Sequence, residues 1–317
     1  MKPLNPEISR RQMLIGAGAA GALAALPLTG LRALAKAAPT IKTVEPGTIL
    51  LGTSGDMPLV AERDGKLVGI DAELISLIAD RIGLKPKIDL MDFPAILAGV
   101  PAGSLDWTGG NFSWRPKRAE IMALTDAVYY TAGFAIMKVD KPFTDKITIS
   151  DLSGHSIGTG TGYSFIPDMK NVPKTTELKL YDSVDSCVRD IAAGRLDFGV
   201  LDAPVIDWIA KQDPSLGIKQ VPFVYDAAYP VVTGKTPMIW GICPGEPDLF
   251  DALNQGIQWL KKTGQIGPIM AKYGITDPGY LTPPATPNPR LGVDRDAAGN
   301  VIGPFAHTKK DFSEYFK

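Results

Sequence analysis

Residues 71–90 read DAELISLIADRIGLKPKIDL. From Leu74 to Ile82, large apolar residues recur at four-residue intervals, and Gly83 follows the last of them. This spacing predicts an amphipathic helix that Asp71 caps at its N-terminus and Gly83 ends. The six residues that complete the stretch predict a β-strand. A helix followed so closely by a strand is typical of an α/β fold.

The same alternation of strand and helix extends over most of the chain. The predicted strands are Ile49–Gly52, Lys85–Leu90, Leu105–Thr108, Ser156–Thr159, Leu178–Tyr181 and Leu196–Leu201, and the further predicted helices are Pro94–Val100, Val184–Ala193 and Pro204–Gln212. A long helical region, Pro247–Tyr273, is broken by Gly264 and Gly267. The repeated scheme predicts an α/β protein with two lobes.

Two stretches, Tyr130–Lys138 and Val231–Trp240, lack helical periodicity and flank the second set of strands and helices. We interpret them as the places where the chain leaves one lobe and returns to it, which would supply two hinge strands. The predicted boundaries are 47–133 plus 236–275 for lobe 1, 134–235 for lobe 2, and 276–317 for a Pro-rich C-terminal tail. We expect this tail to be extended or wrapped over the body.

The composition excludes several functional classes. The chain has 317 residues, 45% hydrophobic and 21% charged, with a formal net charge of −1. That length suits about two domains, and the charge balance lacks the basic excess of nucleic-acid-binding proteins. Two cysteines and two histidines are too few for a disulfide scaffold or the common metal sites. We therefore expect no metal, no cofactor and no nucleic-acid partner, and we expect Cys187 and Cys243 to be free and buried.

The N-terminus has the pattern of an export signal. Arg10 and Arg11 precede a mildly apolar run from Ile15 to Leu28, and an Ala-x-Ala site follows at 35–37. The run is shorter than the ~20 apolar residues that a membrane-spanning helix needs. The pattern therefore predicts a twin-arginine signal peptide over 1–37 and a periplasmic protein without a lipid anchor.

Two loops have the composition of anion-binding sites. Gly158–Ser164 follows a strand, but Tyr163 stands where a dinucleotide fingerprint needs glycine. Backbone N–H groups at a helix start would suit a carboxylate there, and a purely structural turn is the alternative. The second loop, Asp106–Ser113, precedes the basic cluster Arg115–Arg118. A guanidinium at that place offers a bidentate fork to an anion, and a solvated surface charge is the alternative.

Three motifs in order resemble those of the type II periplasmic amino-acid-binding proteins of ABC importers, solute-binding protein family 3. Residues 64–71 (DGKLVGID) match the family's "dGklvGfD" element. The second motif, "lDa … R … fsdpY", is matched by Leu105, Asp106, Arg118, Leu124, Thr125, Asp126 and Tyr129. The third motif, "aGrlDa … D", is matched by Ala193–Asp197 with Leu201 and Asp202. The resemblance spans Thr48–Tyr273. It implies a two-lobed type II periplasmic-binding-protein fold with two hinge strands.

The resemblance also implies how a ligand carboxylate is held. Arg118 would bind the α-carboxylate of the ligand as a bidentate pair. The backbone at Ser113, together with the N–H groups of Tyr163 and Ser164, would complete that site.

At the other end of the ligand, the resemblance implies an ammonium site. Asp202 from lobe 2 and the Asn111 carbonyl would bind the α-ammonium, and Phe93 would cover the ligand side chain. Asp71 and Asp106 also belong to the motifs. We expect a helix-capping role for Asp71 and strand-end hydrogen bonds for Asp106, not ligand contact.

The loop after the first strand departs from the family pattern. It lacks the aromatic residue that commonly stacks on the ligand, and Asp56 falls near that place. Asp56 either faces solvent and caps the turn at Gly55, or lines the pocket and favours ligands with a hydrogen-bond donor or a positive charge. Ser54 stands where relatives for basic amino acids often have an acid, and Tyr163 replaces a small hydroxyl residue.

Together these observations predict a monomeric periplasmic solute-binding protein, not an enzyme. It would bind an amino acid-like zwitterion between two closing lobes and deliver it to an ABC permease in the inner membrane. One alternative is a periplasmic dehydratase of the cyclohexadienyl type on the same scaffold, which would need a proton donor with a shifted pKa in the cleft. Another is a binder of a non-amino-acid carboxylate, although the presence of Asp202 argues for a ligand with an amine.

Overall fold

The computed structural model describes residues 38–285 and 287–317, so the predicted signal peptide at 1–37 lies outside the described residues. The strands are β1 (Thr48–Thr53), β2 (Ala61–Arg63), β3 (Lys66–Val68), β4 (Lys85–Leu90), β5 (Trp107–Thr108), β6 (Ala123–Leu124), β7 (Tyr129–Thr131), β8 (Gly133–Lys138), β9 (Ser156–Gly160), β10 (Glu177–Tyr181), β11 (Phe198–Asp202), β12 (Ile218–Pro222), β13 (Thr236–Met238) and β14 (Gly241–Ile242). The helices are α1 (Ile70–Ile82), α2 (Phe93–Ala102), α3 (Pro116–Ala119), α4 (Ile166–Met169), α5 (Val184–Ala192), α6 (Ala203–Gln212), α7 (Pro230–Thr233), α8 (Pro247–Lys262) and α9 (Ile266–Lys272). Short 3-10 helices cover Ile149–Leu152, Pro214–Leu216, Pro278–Leu281, Gly303–Phe305 and Ser313–Phe316. None of the helices in the described ranges has the length and apolar character needed to cross a membrane.

Two five-stranded sheets form the two lobes. The sheet of lobe 1 has the strand order β4-β1-β5-β14-β6, and that of lobe 2 has the order β10-β9-β11-β8-β12. A separate antiparallel pair, β7 with β13, places Thr131 opposite Thr236. Because the chain passes between the lobes at this pair in both directions, the pair forms the hinge. The predicted fold class, α/β with two lobes and two hinge strands, is confirmed.

The stretch 71–90 folds into the predicted types of element. Gly83 ends α1 in the left-handed conformation with φ of 73°, and β4 follows after one further residue. Ile78 is fully buried and packs against α8. A Cβ atom at Gly256 of α8 would lie 2.5 Å from Ile78 Cγ2, so the two helices approach closely because this position has no side chain.

Three predictions about element ends are wrong. Asp71 does not cap α1, because Gly69 occupies the N-cap position and the Asp71 side chain is buried. The strand predicted over Ser156–Thr159 does not end at Thr159, because β9 continues through Gly160, and the helix after the glycine-rich loop, α4, is a single turn. The break in the C-terminal helical region falls at Gly264 alone, since Gly267 lies inside α9.

The C-terminal tail lies along lobe 1. At the edge strand β6, the Leu124 carbonyl accepts hydrogen bonds from Arg290 Nη2 at 2.8 Å and Arg295 Nη2 at 2.6 Å. Near the end of the chain, Phe312 is 1% exposed and belongs to the lobe 1 core. Its N–H donates to Gln255 Oε1 at 2.9 Å. The tail therefore supplies core side chains to lobe 1 and pairs carbonyls at its sheet edge.

Truncation of Phe312 should show how much the docked tail contributes to the stability of the protein. Removal of a fully buried aromatic ring leaves a cavity, so we expect Phe312→Ala to lower the free energy of unfolding by about 3–5 kcal/mol. Val293→Ala is the matched control, because Val293 lies in the same tail and is exposed. The measurement is urea unfolding followed by circular dichroism. Equal midpoints for the two variants would show that the tail does not dock on the core.

Candidate functional site

A cavity of about 60 Å³ lies between the two lobes beside the hinge. Its lining includes all eight predicted ligand-binding residues, namely Asp56, Phe93, Asn111, Ser113, Arg118, Tyr163, Ser164 and Asp202. They converge because they follow or end parallel strands, β1 and β5 in lobe 1 and β9 and β11 in lobe 2, whose carboxyl ends face the cleft. A single buried water molecule needs roughly 10–15 Å³ of such volume. The cavity is several times larger than that and suits a small ligand.

Arg118 supplies a buried cation to the lobe 1 wall. Its Nη1 donates to the Ser113 carbonyl at 2.6 Å and to the Ser113 hydroxyl at 3.0 Å, and its Cζ lies 4.1 Å from the centre of the Phe112 ring. Burial lowers the pKa of Arg118 to about 9, so the group remains charged at neutral pH. No carboxylate oxygen of the described residues lies within 4.0 Å of its nitrogens. Among the described residues, Arg118 thus has no carboxylate at ion-pair distance, and the charge of Asp202 acts on it from further away.

Arg115 is a second guanidinium in the cavity wall, and the sequence analysis did not assign it to the site. Its Nη2 donates to Ser164 Oγ at 3.2 Å, and its Nη1 donates to Thr236 Oγ1 at 3.1 Å. Burial lowers the pKa of Arg115 to about 10. The signal in the sequence is the spacing: Arg115 and Arg118 lie at i and i+3 around the start of α3, so they face one side of that turn.

A second part of the cavity wall, formed by Asp202 of lobe 2 and Asn111 of lobe 1, is rich in acceptors. Asp202, at the end of β11, accepts hydrogen bonds from Asn111 Nδ2 at 2.7 Å and from the Tyr163 hydroxyl. The Asn111 Oδ1 atom is buried and has no hydrogen-bond partner within the described part of the chain. Burial raises the pKa of Asp202 to about 7, and the charge of Asp56 adds to that effect. A carboxylate beside an unpaired amide oxygen is the arrangement that an ammonium group needs.

Asp56 lies in the cavity wall and not on the outer surface. Its carboxylate accepts a hydrogen bond from the Ser54 hydroxyl at 2.6 Å, and burial raises its pKa. The turn at Gly55 is capped by a different residue, since the Gly55 N–H donates to Thr53 Oγ1 at 3.1 Å. Of the two interpretations of Asp56, the structure therefore favours the pocket-lining one.

Aromatic rings close the remaining wall. The Phe93 ring lies edge-on to Phe112 and Tyr163, with centroid distances of 6.2 and 5.6 Å. The implied role of the Tyr163 N–H needs correction, because this group donates to the Gly160 carbonyl at 3.0 Å and is not free for a carboxylate. Tyr163 faces the site through its hydroxyl instead.

A buried hydrogen-bond network fixes the loop that carries Asn111. Asp71 accepts from Trp240 Nε1 at 2.6 Å, from the Tyr129 hydroxyl at 3.0 Å and from the Gly110 N–H. The Tyr129 hydroxyl in turn accepts from the Asn111 N–H at 2.9 Å, and Asn111 adopts a positive φ of 64°. Burial raises the pKa of Asp71 to about 6. The network thus positions the site from within lobe 1.

The other residues singled out in the sequence have structural roles. Asp106 is buried and accepts from the backbone N–H groups of Val44 and Leu50, as expected. Cys187 and Cys243 are both free and buried, which confirms that prediction. Across 38–285 and 287–317, no group of three or more His, Cys, Asp or Glu residues is placed to hold a metal ion.

Comparison with known proteins identifies similar chains. The sequence profile of the bacterial extracellular solute-binding proteins, family 3, matches residues 49–276. The chain is 24% identical over 225 residues to the probable amino-acid-binding protein YxeM of Bacillus subtilis (strain 168), which covers 70% of this chain and 81% of that protein.

Solved structures share the fold. An ancestral arginine-binding protein bound to glutamine superposes with a TM-score of 0.64 at 23% identity, covering 74% of this chain and 100% of that chain. The ancestral amino acid-binding protein AncCDT-1, a precursor of cyclohexadienyl dehydratase, gives a TM-score of 0.61 at 20% identity, covering 72% of this chain and 95% of the other.

Removal of the Tyr129 hydroxyl should test the positioning network. We expect Tyr129→Phe to lower the free energy of unfolding by about 1–3 kcal/mol, because it leaves the Asn111 N–H unpaired and takes a donor from the buried Asp71 carboxylate. The control is Tyr130→Phe at the neighbouring, more exposed tyrosine. Chemical unfolding of both variants measures the difference. If the two variants are equally stable, the network does not hold the loop.

Proposed function

Because the chain belongs to the bacterial extracellular solute-binding proteins of family 3, we propose that it captures an amino acid-like zwitterion between its lobes and delivers it to an ABC permease. The supporting observation is the polarity of the cavity. The cavity is lined by the Arg118 guanidinium, which has no carboxylate at ion-pair distance in the described residues, and by Asp202 beside the unpaired Asn111 Oδ1. A free amino acid carries the two complementary charges on one carbon atom.

The same polarity explains why binding would close the lobes. Arg118 belongs to lobe 1 and Asp202 to lobe 2, so a ligand that pairs with both joins them. Polar contacts already cross the cleft there, from Asn111 Nδ2 to Asp202 at 2.7 Å and from Ser113 Oγ to Ser164 Oγ at 3.2 Å. A ligand that binds the closed state more tightly than the open state shifts the population towards closure.

Export and partners complete the proposal. The paired Arg10 and Arg11 before an apolar run support export by the twin-arginine pathway to the periplasm. The partner is an ABC permease in the inner membrane. We propose a monomer, since the cavity lies between two lobes of the same chain.

A dehydratase of the cyclohexadienyl type is the second candidate. The observation that favours it is the pKa of Asp202, raised to about 7 by burial, which would suit a proton donor in the cleft. The same carboxylate is already bonded to Asn111 Nδ2 and the Tyr163 hydroxyl, and an ammonium partner would hold it ionised. Recovery of bound ligand chemically unchanged separates binding from catalysis.

The direct test is ligand binding by protein freed of ligand through unfolding and refolding. A thermal-shift screen of amino acids identifies the ligand, because a ligand at ~100 times its Kd adds about 2.7 kcal/mol to stability. Calorimetry then compares variants. We expect Arg118→Met to weaken binding at least tens-fold, as loss of a buried charge partner costs about 2–5 kcal/mol. Lys117→Met, at an exposed neighbour, should bind normally; unchanged binding by Arg118→Met would remove Arg118 from the site.

The affinity should also depend on pH. Below pH 7 the ligand-free protein carries a proton on Asp202, because burial raises that pKa to about 7. An ammonium ligand binds the ionised form, so the affinity should rise with pH, by up to about tenfold per unit below pH 7, and level off above it. Calorimetry between pH 5.5 and 8 measures this. Asp202→Asn should bind weakly with a flat profile, and a wild-type affinity that falls as the pH rises would contradict the role of Asp202.

A further inference from the structure

Arg115 gives the cavity a second cationic group, and its surroundings point to the class of ligand. Resting on the function proposed above, we propose that Arg115 binds a second acidic group of the ligand, so that the site selects amino acids with an acidic side chain. The inference rests on the contacts of Arg115, on the charges around it and on its distance from Arg118 along a chain of hydroxyl groups.

The contacts of Arg115 leave part of its guanidinium unused. Nη1 donates to the Trp114 carbonyl at 2.9 Å and to Thr236 Oγ1 at 3.1 Å, and Nη2 donates to Ser164 Oγ at 3.2 Å. The Nε atom is buried and has no hydrogen-bond partner within the described residues. The three groups that accept hydrogen bonds from Arg115 are a carbonyl and two hydroxyls, and all three are uncharged. A carboxylate, which takes two parallel hydrogen bonds from a guanidinium, would be a stronger partner than any of them.

The charges near Arg115 do not neutralise it. Asp168 is the acid whose charge acts on it, but Asp168 Oδ2 accepts from the Val231 and Val232 N–H groups at 2.8 and 3.0 Å. In the part of the chain that the structure describes, no carboxylate oxygen lies within 4.0 Å of the Arg115 nitrogens. A ligand with one carboxylate would neutralise Arg118 and leave Arg115 with only the charge of Asp168, which is beyond 4.0 Å and already accepts from two backbone N–H groups.

The two guanidiniums are joined by two serine hydroxyls. Arg118 Nη1 lies 3.0 Å from Ser113 Oγ, Ser113 Oγ lies 3.2 Å from Ser164 Oγ, and Ser164 Oγ lies 3.2 Å from Arg115 Nη2. Each hydroxyl can donate to an anion or accept from an arginine. Two acidic groups separated by a few bonds would therefore find donors along this row, with one carboxylate at each arginine.

The acidic part of the cavity wall supports the same orientation. The charge of Asp56 adds to burial in raising the pKa of Asp202, so that part of the wall repels carboxylates and attracts the ammonium. Both acidic groups of the ligand would then lie on the arginine side. The competing explanation is that Arg115 only ties lobe 1 to the hinge at Thr236 and to lobe 2 at Ser164, in which case it would affect all ligands alike.

The test compares acidic amino acids with their neutral amides by calorimetry. The ligands are L-aspartate and L-glutamate against L-asparagine and L-glutamine, which have nearly the same shape. We expect the wild type to bind at least one acid about tenfold or more tightly than its amide. Arg115→Met should weaken acid binding by tens-fold and amide binding by less than about threefold. Arg115→Lys, which keeps the charge, should recover part of the acid affinity, and Lys117→Met should match the wild type.

The outcomes separate this inference from the function on which it rests. Equal binding of acids and amides by the wild type, or equal losses for both in Arg115→Met, overturns the second acidic subsite. If neutral or basic amino acids bind and acidic ones do not, the inference fails and amino-acid capture stands. If no amino acid binds the refolded wild type, the proposed function itself fails.

Discussion

A buried guanidinium without a carboxylate partner is the constraint on which the site depends. Removing a charge from water is unfavourable unless other groups stabilise it. Around Arg118 these groups are the Ser113 carbonyl and hydroxyl and the face of the Phe112 ring. None of them carries a negative charge, so the Arg118 guanidinium can still form an ion pair with an anionic ligand. A carboxylate of the protein itself, paired with Arg118, would have taken the place of the ligand anion.

The rest of lobe 1 is arranged to hold the binding groups in place. The segment from the end of β5 through α3 carries Asn111, Ser113, Arg115 and Arg118 within eight residues, and it needs support because Asn111 has a positive φ. The support comes from Asp71, whose carboxylate collects donors from three separate parts of lobe 1. Burial of that carboxylate is unfavourable by itself, as its raised pKa indicates, and is offset by the hydrogen bonds it accepts.

Sequence reasoning predicted what depends on local pattern or on matched motifs. The strand at Lys85–Leu90 and the end of α1 at Gly83 follow from periodicity and backbone preference, and the convergence of Arg118 and Asp202 follows from the family resemblance. The misjudged residues depend on distant parts of the chain. Asp71 has the sequence features of a helix cap, yet its partner Trp240 lies 169 residues away. For the cluster that contains Arg115 the sequence left anion binding and a solvated charge both open, because Ser164 and Thr236, which contact Arg115 in the cavity, come from lobe 2 and the hinge.

The tail contacts the hinge region as well as the body of lobe 1. Lys235, just before β13, donates to the carbonyls of Gly279 and Thr282, the latter at 2.6 Å, and the tail continues along lobe 1 to its buried end at Phe312. The tail thus contacts the chain beside the hinge, in addition to the pairing of β7 with β13. The two passages of the chain between the lobes are short, since only Ala132 separates β7 from β8 and only Gly234 and Lys235 separate α7 from β13. Since the cavity adjoins this boundary, a small rotation there separates Ser164 and Asp202 from Arg115, Asn111 and Ser113 together, so that one hinge movement opens both ends of the site.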